Sequence, residues 1–311
     1  MGCGITVTAV GATAAPFAEA MGDIQDLAEV WEARFSRFRA ESELSQLNAQ
    51  AGQGAVPVHP SLFALIERAI DTARASDGLF NPLVLNAVRS AGYDRDFAEL
   101  RPAEAIHLPD PEPVPGFEQV ELDRDALTVS LPDGCGIDLG GIAKGAFIDA
   151  AVERLSPEWP GGCVNAGGDL RVWGVPPGND CWTIGIEYPQ RPNLDIVQIR
   201  LTDLAAASAV ATSGRNFRRW QTDRGPAHHL IDPTTGAWVV GNIETASAVA
   251  ADATGADLAA KTLFLSVSRR QRPLLGSASL GITIDDRGAG TIWNTDDHHH
   301  AEVVPLIVRA S

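Results

Sequence analysis

Lysine is scarce in this 311-residue chain, and its two copies mark the segments richest in chemistry. Of 24 Lys+Arg residues, only Lys144 and Lys261 are lysines. A lysine is a compact point charge with three rotatable donors, whereas an arginine is a wide planar fork. Either the chain keeps lysine where a guanidinium does not fit, or two lysines survive by chance. Lys144 follows Asp138-Leu139-Gly140-Gly141, a strand-like approach that turns into a helical run. Glycines at such a turn let the backbone come close to an anion, and the free N–H groups of a helix start favour phosphate. The spacing puts Lys144 about one turn into that helix, within reach of the same anion. Asp138 is placed to fix a polar ring edge or a ribose. The plainer alternative is a tight turn carrying a solvated lysine.

Lys261 stands four residues after Asp257, on one face of a helix. On a surface such a pair is worth only about 0.3–0.5 kcal/mol. Here the flanking residues Leu258, Ala259, Ala260, Leu263 and Phe264 are apolar, which argues for a buried pair. Thr212 and Ser213 set two hydroxyls beside Gly214, a grouping that suits a phosphate or sugar oxygen and equally suits a turn. His228-His229-Leu230-Ile231-Asp232-Pro233 joins titratable groups to rigid backbone ahead of Gly236. The proline keeps His229 and Asp232 off a common helix, and no GxSxG elbow supports a nucleophilic triad. Gly167-Gly168, between Asn165 and Asp169, reads as a strand-to-strand turn. His298-His299-His300 beside Asp296 and Asp297 reads as a solvated loop.

The net charge of -16 argues against a nucleic-acid or anionic-membrane surface, because both reward basic patches. Cations that serve a phosphate must therefore be concentrated locally. Four cysteines without CxxC spacing indicate neither a zinc site nor a disulfide framework. They read as small buried residues in a reducing compartment, and the cytoplasm is expected, with export of a longer precursor left open. No run of 18 apolar residues exists to span a membrane.

The elements that must position these groups alternate without regular βαβ order. Helical periodicity covers Phe17–Phe38, Pro60–Ala75, Ile142–Leu155 and Ala253–Val267. Strands are expected at Ile5–Val10, Leu170–Trp173, Trp182–Glu187, Ile196–Leu201, Ala246–Val249 and Leu280–Ile284, with a hairpin around Asp123-Arg124-Asp125. Ser42 to Asn48 reads as part of a loop, and proline-rich Arg101–Gly116 as a surface connection. The pattern favours an α+β fold in one catalytic domain over residues 1–311.

Taken in order, these segments resemble the ApbE family of FAD:protein FMN transferases. The likeness runs through Met1-Gly2, Phe35-Ser36-Arg37-Phe38, Ser42-Glu43-Leu44 with Leu47-Asn48, and Gly78-Leu79-Phe80-Asn81-Pro82. It continues through Asp138–Gly145, Asn165–Asp169, Thr212-Ser213-Gly214, His229–Gly236 and Ala256-Asp257. The resemblance implies cleavage of FAD and attachment of FMN, by a phosphoester, to a Thr or Ser hydroxyl of a target flavoprotein, with magnesium assisting and AMP leaving. It implies that Met1, Phe38, Leu79, Phe80 and Asn81 line the flavin and adenine pocket. Asp138, Gly140, Gly141 and Lys144, with Thr212 and Ser213, would hold FAD. The Gly141 carbonyl and Asp257 would bind the metal, and His229, Ile231 and Asp232 would close the site near the pyrophosphate. Lys144, His229, Asp232, Asp257 and Lys261 would form the catalytic set.

Three positions depart from the family pattern. Phe38 replaces a tyrosine, and Cys3 a threonine. Lys261 stands where a metal-binding threonine is expected, with Thr262 one position late and so turned about 100° away. Lys261 either supplies part of the magnesium charge, the reading favoured here, or pairs with Asp257 and leaves the metal elsewhere or absent. Two other readings compete with transfer: an FAD pyrophosphatase that gives FMN and AMP, and a non-catalytic flavin-binding protein. Asp252-Ala253-Thr254-Gly255-Ala256 also resembles the acceptor signature of the family's targets, read here as coincidence.

Overall fold

The computed structural model describes residues 2–100, 107–191, 193–205, 208–294 and 301–305. The chain begins with strand β1 (Ile5–Ala9) and the long helix α1 (Ala14–Phe35). Helix α2 (Glu43–Ala49), strand β2 (Ala55–Pro57), helix α3 (Pro60–Ala75) and helix α4 (Leu85–Ser90) follow. Next come β3 (Glu121–Asp123), β4 (Thr128–Ser130) and helix α5 (Ala143–Leu155). Strands β5 (Gly162–Ala166), β6 (Asp169–Trp173), β7 (Trp182–Glu187), β8 (Asp195–Leu201) and β9 (Ala209–Gly214) succeed one another. A short hairpin, β10 (Arg219–Thr222) and β11 (Gly225–His228), leads to β12 (Ile243–Ala250) and helix α6 (Ala253–Ser268). Strands β13 (Leu280–Asp285), β14 (Gly290–Asn294) and β15 (Ala301–Pro305) complete the described chain. The α+β expectation holds.

The chain divides into two compact units. The first is built from Ala28–Ala143 and Arg215–Gly241, and the second from Cys3–Leu27, Lys144–Gly214 and the chain from Asn242 onward.

In the first unit, α3 starts where Pro60 sets the first helical turn, and it buries Leu62, Phe63, Ile66, Ala69, Ile70 and Ala73 along one stripe. The segment expected to be a loop after Ser42 forms α2 instead. Ser42 accepts from the Ser45 amide at 3.0 Å, and the buried Leu44 and Leu47 give the short helix its apolar contact. Helix α1 ends at Phe35, three residues before the expected Phe38, and just beyond it Arg37 turns inward. Its Nε lies 3.1 Å from Asp138, and its Nη1 donates to the Tyr93 carbonyl at 2.8 Å. A second cluster gathers Val88, Tyr93, Trp220, Ala227 and Ile231 beneath the β10–β11 hairpin.

The second unit carries a seven-stranded sheet in the order β1-β5-β6-β9-β12-β13-β14, antiparallel at every pairing. A three-stranded sheet, β15-β8-β7, faces it across a core of Leu170, Val172, Ile199, Leu201, Val210, Val249 and Ile282. Helix α6 packs on β9 and β12. Strand alternation gives that packing face the small side chains Ala209, Ala211 and Ser213 of β9 and Ala246, Ala248 and Ala250 of β12. Small residues on both partners bring the helix close to the sheet. Gly167 and Gly168, at φ +63° and +99°, make the tight turn from β5 to β6 expected of that glycine pair.

Candidate functional site

The second unit assembles four charged side chains, and both lysines of the chain are among them. Lys144, at the second position of α5, forms an ion pair with Asp169 at the start of β6. Asp257 and Lys261, one turn apart on α6, pair at 2.9 Å between Oδ1 and Nζ, with the carboxylate 3% and the ammonium 16% exposed. Burial pushes the Asp169 carboxyl up, the nearby Asp257 charge adds to that, and the Lys144 ammonium opposes it. Each cation is therefore held beside a buried carboxylate.

Neighbouring backbone and hydroxyl groups fix the cluster further. Asp169 accepts from the Thr212 amide at 2.9 Å. The Thr212 hydroxyl is taken by Ser247 across the strand at 2.8 Å, and Ser213 is buried on the helix-facing side of β9. Thr262 takes no part. Its hydroxyl lies 3.2, 3.1 and 3.0 Å from the carbonyls of Leu258, Ala259 and Leu274, which share its single proton, turned away from Asp257 as the helical geometry requires. Thr254, in the segment that looks like an acceptor, is 3% exposed and donates its hydroxyl to Asp149 at 2.6 Å.

In the first unit the expected recognition residues fall into three groups. Phe38 is 42% exposed, with the Arg37 guanidinium 4.1 Å from its ring centroid and Tyr93 at 5.7 Å. Leu79, Phe80 and Asn81 are buried. Asn81 braces two backbones, accepting from the Leu83 amide and donating to the Pro115 carbonyl, both at 2.9 Å. Asp138 is held by Arg37 and accepts from the Gly140 amide at 2.6 Å, which fixes the turn before Gly141.

The histidine segment divides its two rings. His228 is buried, with Nε2 2.9 Å from the Val239 carbonyl and Nδ1 accepting from the Leu230 amide at 3.3 Å. Burial pushes its pKa down to about 4, so it is a neutral core residue at physiological pH. His229 is half-buried. Asp232 accepts from the Thr234 amide at 2.9 Å in a turn that closes at Gly236, and Ile231 joins the Tyr93–Trp220 cluster. Gly236 has φ +70°, and a Cβ there would meet the Glu112 carbonyl at 1.8 Å, so only glycine fits. Met1 and the His298–His300 segment lie outside the described residues.

Two residues of this cluster are not singled out by their sequence context. Asp169 reads as the end of a turn, although alternation sets it with Arg171 on one face of a strand whose other face is apolar. Asp149 carries no local signal, because its partners lie far along the chain. The cysteines, expected to be buried, are half-buried except Cys181.

The donor set can be tested against a divalent metal. Asp257 Oδ2 is buried without a hydrogen-bond partner among the described residues, which suits one metal contact. Its other oxygen is held by Lys261. Among the described residues, no group of three His, Cys, Asp or Glu could hold a metal ion. The Gly141 carbonyl expected to share the metal with Asp257 belongs to the first unit. Within the second unit a lone carboxylate oxygen beside an ammonium does not make the oxygen cage that magnesium prefers, so these side chains do not by themselves fit a resident magnesium ion.

The fold is an antiparallel α+β architecture that carries one buried Asp–Lys pair at the start of α5 and another along α6. The model of the ApbE family matches residues 1–282, and the chain belongs to that family. It is 32% identical over 274 residues to the FAD:protein FMN transferase of Treponema pallidum, covering 79% of this chain and 71% of that protein. The FAD:protein FMN transferase of Klebsiella pneumoniae is 28% identical, over 73% of this chain and 69% of that one. Among solved structures, the ApbE protein of Thermotoga maritima superposes with a TM-score of 0.74 at 27% identity, covering 94% of this chain and 93% of that one. The flavin transferase ApbE of Vibrio cholerae shares the fold, with a TM-score of 0.72 at 20% identity and coverage of 95% and 94%. No helix among the described residues is long and apolar enough to cross a membrane.

Proposed function

We propose that the chain is an FAD:protein FMN transferase that moves FMN from FAD to a Thr or Ser hydroxyl of a target flavoprotein. The observation that carries this reading is the family match over residues 1–282, with both lysines of the chain ion-paired to buried aspartates of the second unit. The acceptor oxygen forms a bond to the FMN phosphorus, the pyrophosphate P–O bond breaks, and AMP leaves with the bond's electron pair. Such a reaction asks the protein mainly for positioning and for charge opposite the phosphoryl oxygens. Lys144 is assigned to the pyrophosphate. Lys261 supplies charge where the family pattern implies magnesium, which these side chains do not by themselves fit. His228 is committed on both ring nitrogens, so His229 is the member of the pair assigned to take the acceptor proton, with Asp232 fixing its loop. Phe38 offers an exposed ring for stacking, and Leu79, Phe80, Asn81 and Asp138 shape the flavin and adenine side.

Incubating the purified protein with FAD, with and without a threonine-bearing acceptor peptide, tests the reading. AMP together with a peptide heavier by FMN supports transfer. AMP and free FMN with unmodified peptide would mean a pyrophosphatase, and flavin absorbance retained on the protein with neither product would mean a flavin binder.

A further inference from the structure

Asp149, in α5, accepts four hydrogen bonds within the second unit. Its Oδ1 accepts from the Ala253 amide at 2.8 Å and from Arg171 Nη1 at 2.9 Å. Its Oδ2 accepts from the Thr254 amide at 2.9 Å and from the Thr254 hydroxyl at 2.6 Å. A carboxylate so placed binds the first amides of α6 as an anion at a helix N-terminus, although it belongs to another helix.

We propose that Asp149 is a positioning residue that sets the Asp257–Lys261 pair against the Lys144–Asp169 pair. Three elements carry those four charges, and Asp149 ties all three. It lies on α5 with Lys144. Through Arg171 it reaches β6, where Asp169 and Arg171 share one face by strand alternation. Through Thr254 it holds α6, along which Thr254, Asp257 and Lys261 follow at i, i+3 and i+7 on one face. Fixing Thr254 therefore fixes the azimuth of the stripe that presents Lys261. Arg171 also touches the Ser208 hydroxyl, which donates to the Ala251 carbonyl at 2.6 Å, so the chain entering α6 is held from its other side. Gly145 shows how close the approach is: a Cβ there would lie 2.5 Å from the Ala253 carbonyl oxygen.

The inference rests on the transferase reading for its catalytic consequence and on geometry alone for the positioning. Asp149→Asn keeps the shape but trades an acceptor oxygen for a donor. We expect kcat for AMP release to fall about 100-fold, the scale of a misplacement of about 1 Å, with KM for FAD little changed. Asp252→Ala is the control. It removes the N-cap bond to Gly255 and leaves in place the four bonds that Asp149 makes to Arg171, Ala253 and Thr254, so it lowers thermal stability while leaving kcat within about twofold. Protein labelled with 15N at its lysine side chains adds a readout independent of turnover: Asp149→Asn shifts both ammonium signals, and Asp252→Ala shifts neither. Unmoved lysine signals in Asp149→Asn, or a kcat loss that Asp252→Ala reproduces at equal thermal stability, overturns the proposal. If the wild-type protein yields neither AMP nor modified peptide, the transferase reading fails, and the lysine signals still decide whether Asp149 positions the pairs.

Discussion

Replacing Lys261 is the sharpest perturbation of the charged cluster. At the 2.9 Å separation of Nζ and Asp257 Oδ1, a unit charge pair is worth about 6 kcal/mol at an effective dielectric of ~20 and only about 1.4 kcal/mol in water. The carboxylate is 3% exposed, so the pair belongs nearer the first figure before desolvation is subtracted. Breaking one side of a buried pair leaves an uncompensated charge and typically costs roughly 3–5 kcal/mol. Lys261→Met keeps the stem and deletes the charge, so urea unfolding at neutral pH is expected to show a loss of that size with m unchanged. Lys261→Thr places a hydroxyl one turn from Asp257 and releases its Oδ1. That variant is expected to gain a magnesium requirement for AMP formation, whereas the wild-type protein keeps turning over in EDTA. An unchanged urea midpoint in Lys261→Met would show that the pair contributes nothing. Abolition of wild-type turnover by EDTA, with recovery on adding Mg2+, would refute the view that Lys261 stands in for the metal.

Other predictions concern single groups. Lys144→Arg conserves charge but swaps a point donor for a fork beside buried Asp169, and FAD turnover should fall at least about tenfold in steady-state assays. Thr262→Val removes a donor shared among three backbone carbonyls, so stability should drop by about 1 kcal/mol in urea titrations while AMP release persists. His228, pushed down to about 4 by burial, remains neutral in the folded protein when the unfolded chain begins to protonate near 6.5. The unfolded state then binds more protons, so stability falls as pH drops from about 6.5 to about 4 and levels off below. The loss is on the order of 3 kcal/mol, and His228→Asn should flatten that part of the urea stability curve.

Local signals carried much of this architecture. Helix α3 is announced by Pro60 and its apolar stripe, and α6 by Asp252, whose side chain caps the Gly255 amide at 2.6 Å. The Asp257–Lys261 pair was legible because both partners lie on one helix, where spacing alone fixes direction. Helix α2 was missed because seven residues give only Leu44 and Leu47 as periodic evidence, less than the loop residues around them. Asp169 and Asp149 were illegible for another reason. Their partners, Lys144 and Thr254, come from different elements, and the antiparallel order that joins them is set by packing among distant strands. His228 and His229 are adjacent in sequence and alike in chemistry. Only the fold shows that one ring is sealed among backbone partners.

The buried Thr254 has a consequence for the protein's relation to itself. On the proposed reading the enzyme is present at high local concentration around its own surface, and Thr254 lies in a segment whose likeness to an acceptor signature is read as coincidence. With its hydroxyl held by Asp149 and its surface sealed, Thr254 is closed to such tagging in the folded protein. That protection belongs to the folded state alone. A chain caught before α6 docks, or a fragment lacking α5, would expose Thr254, and flavin found there would overturn the reading of that segment as coincidence.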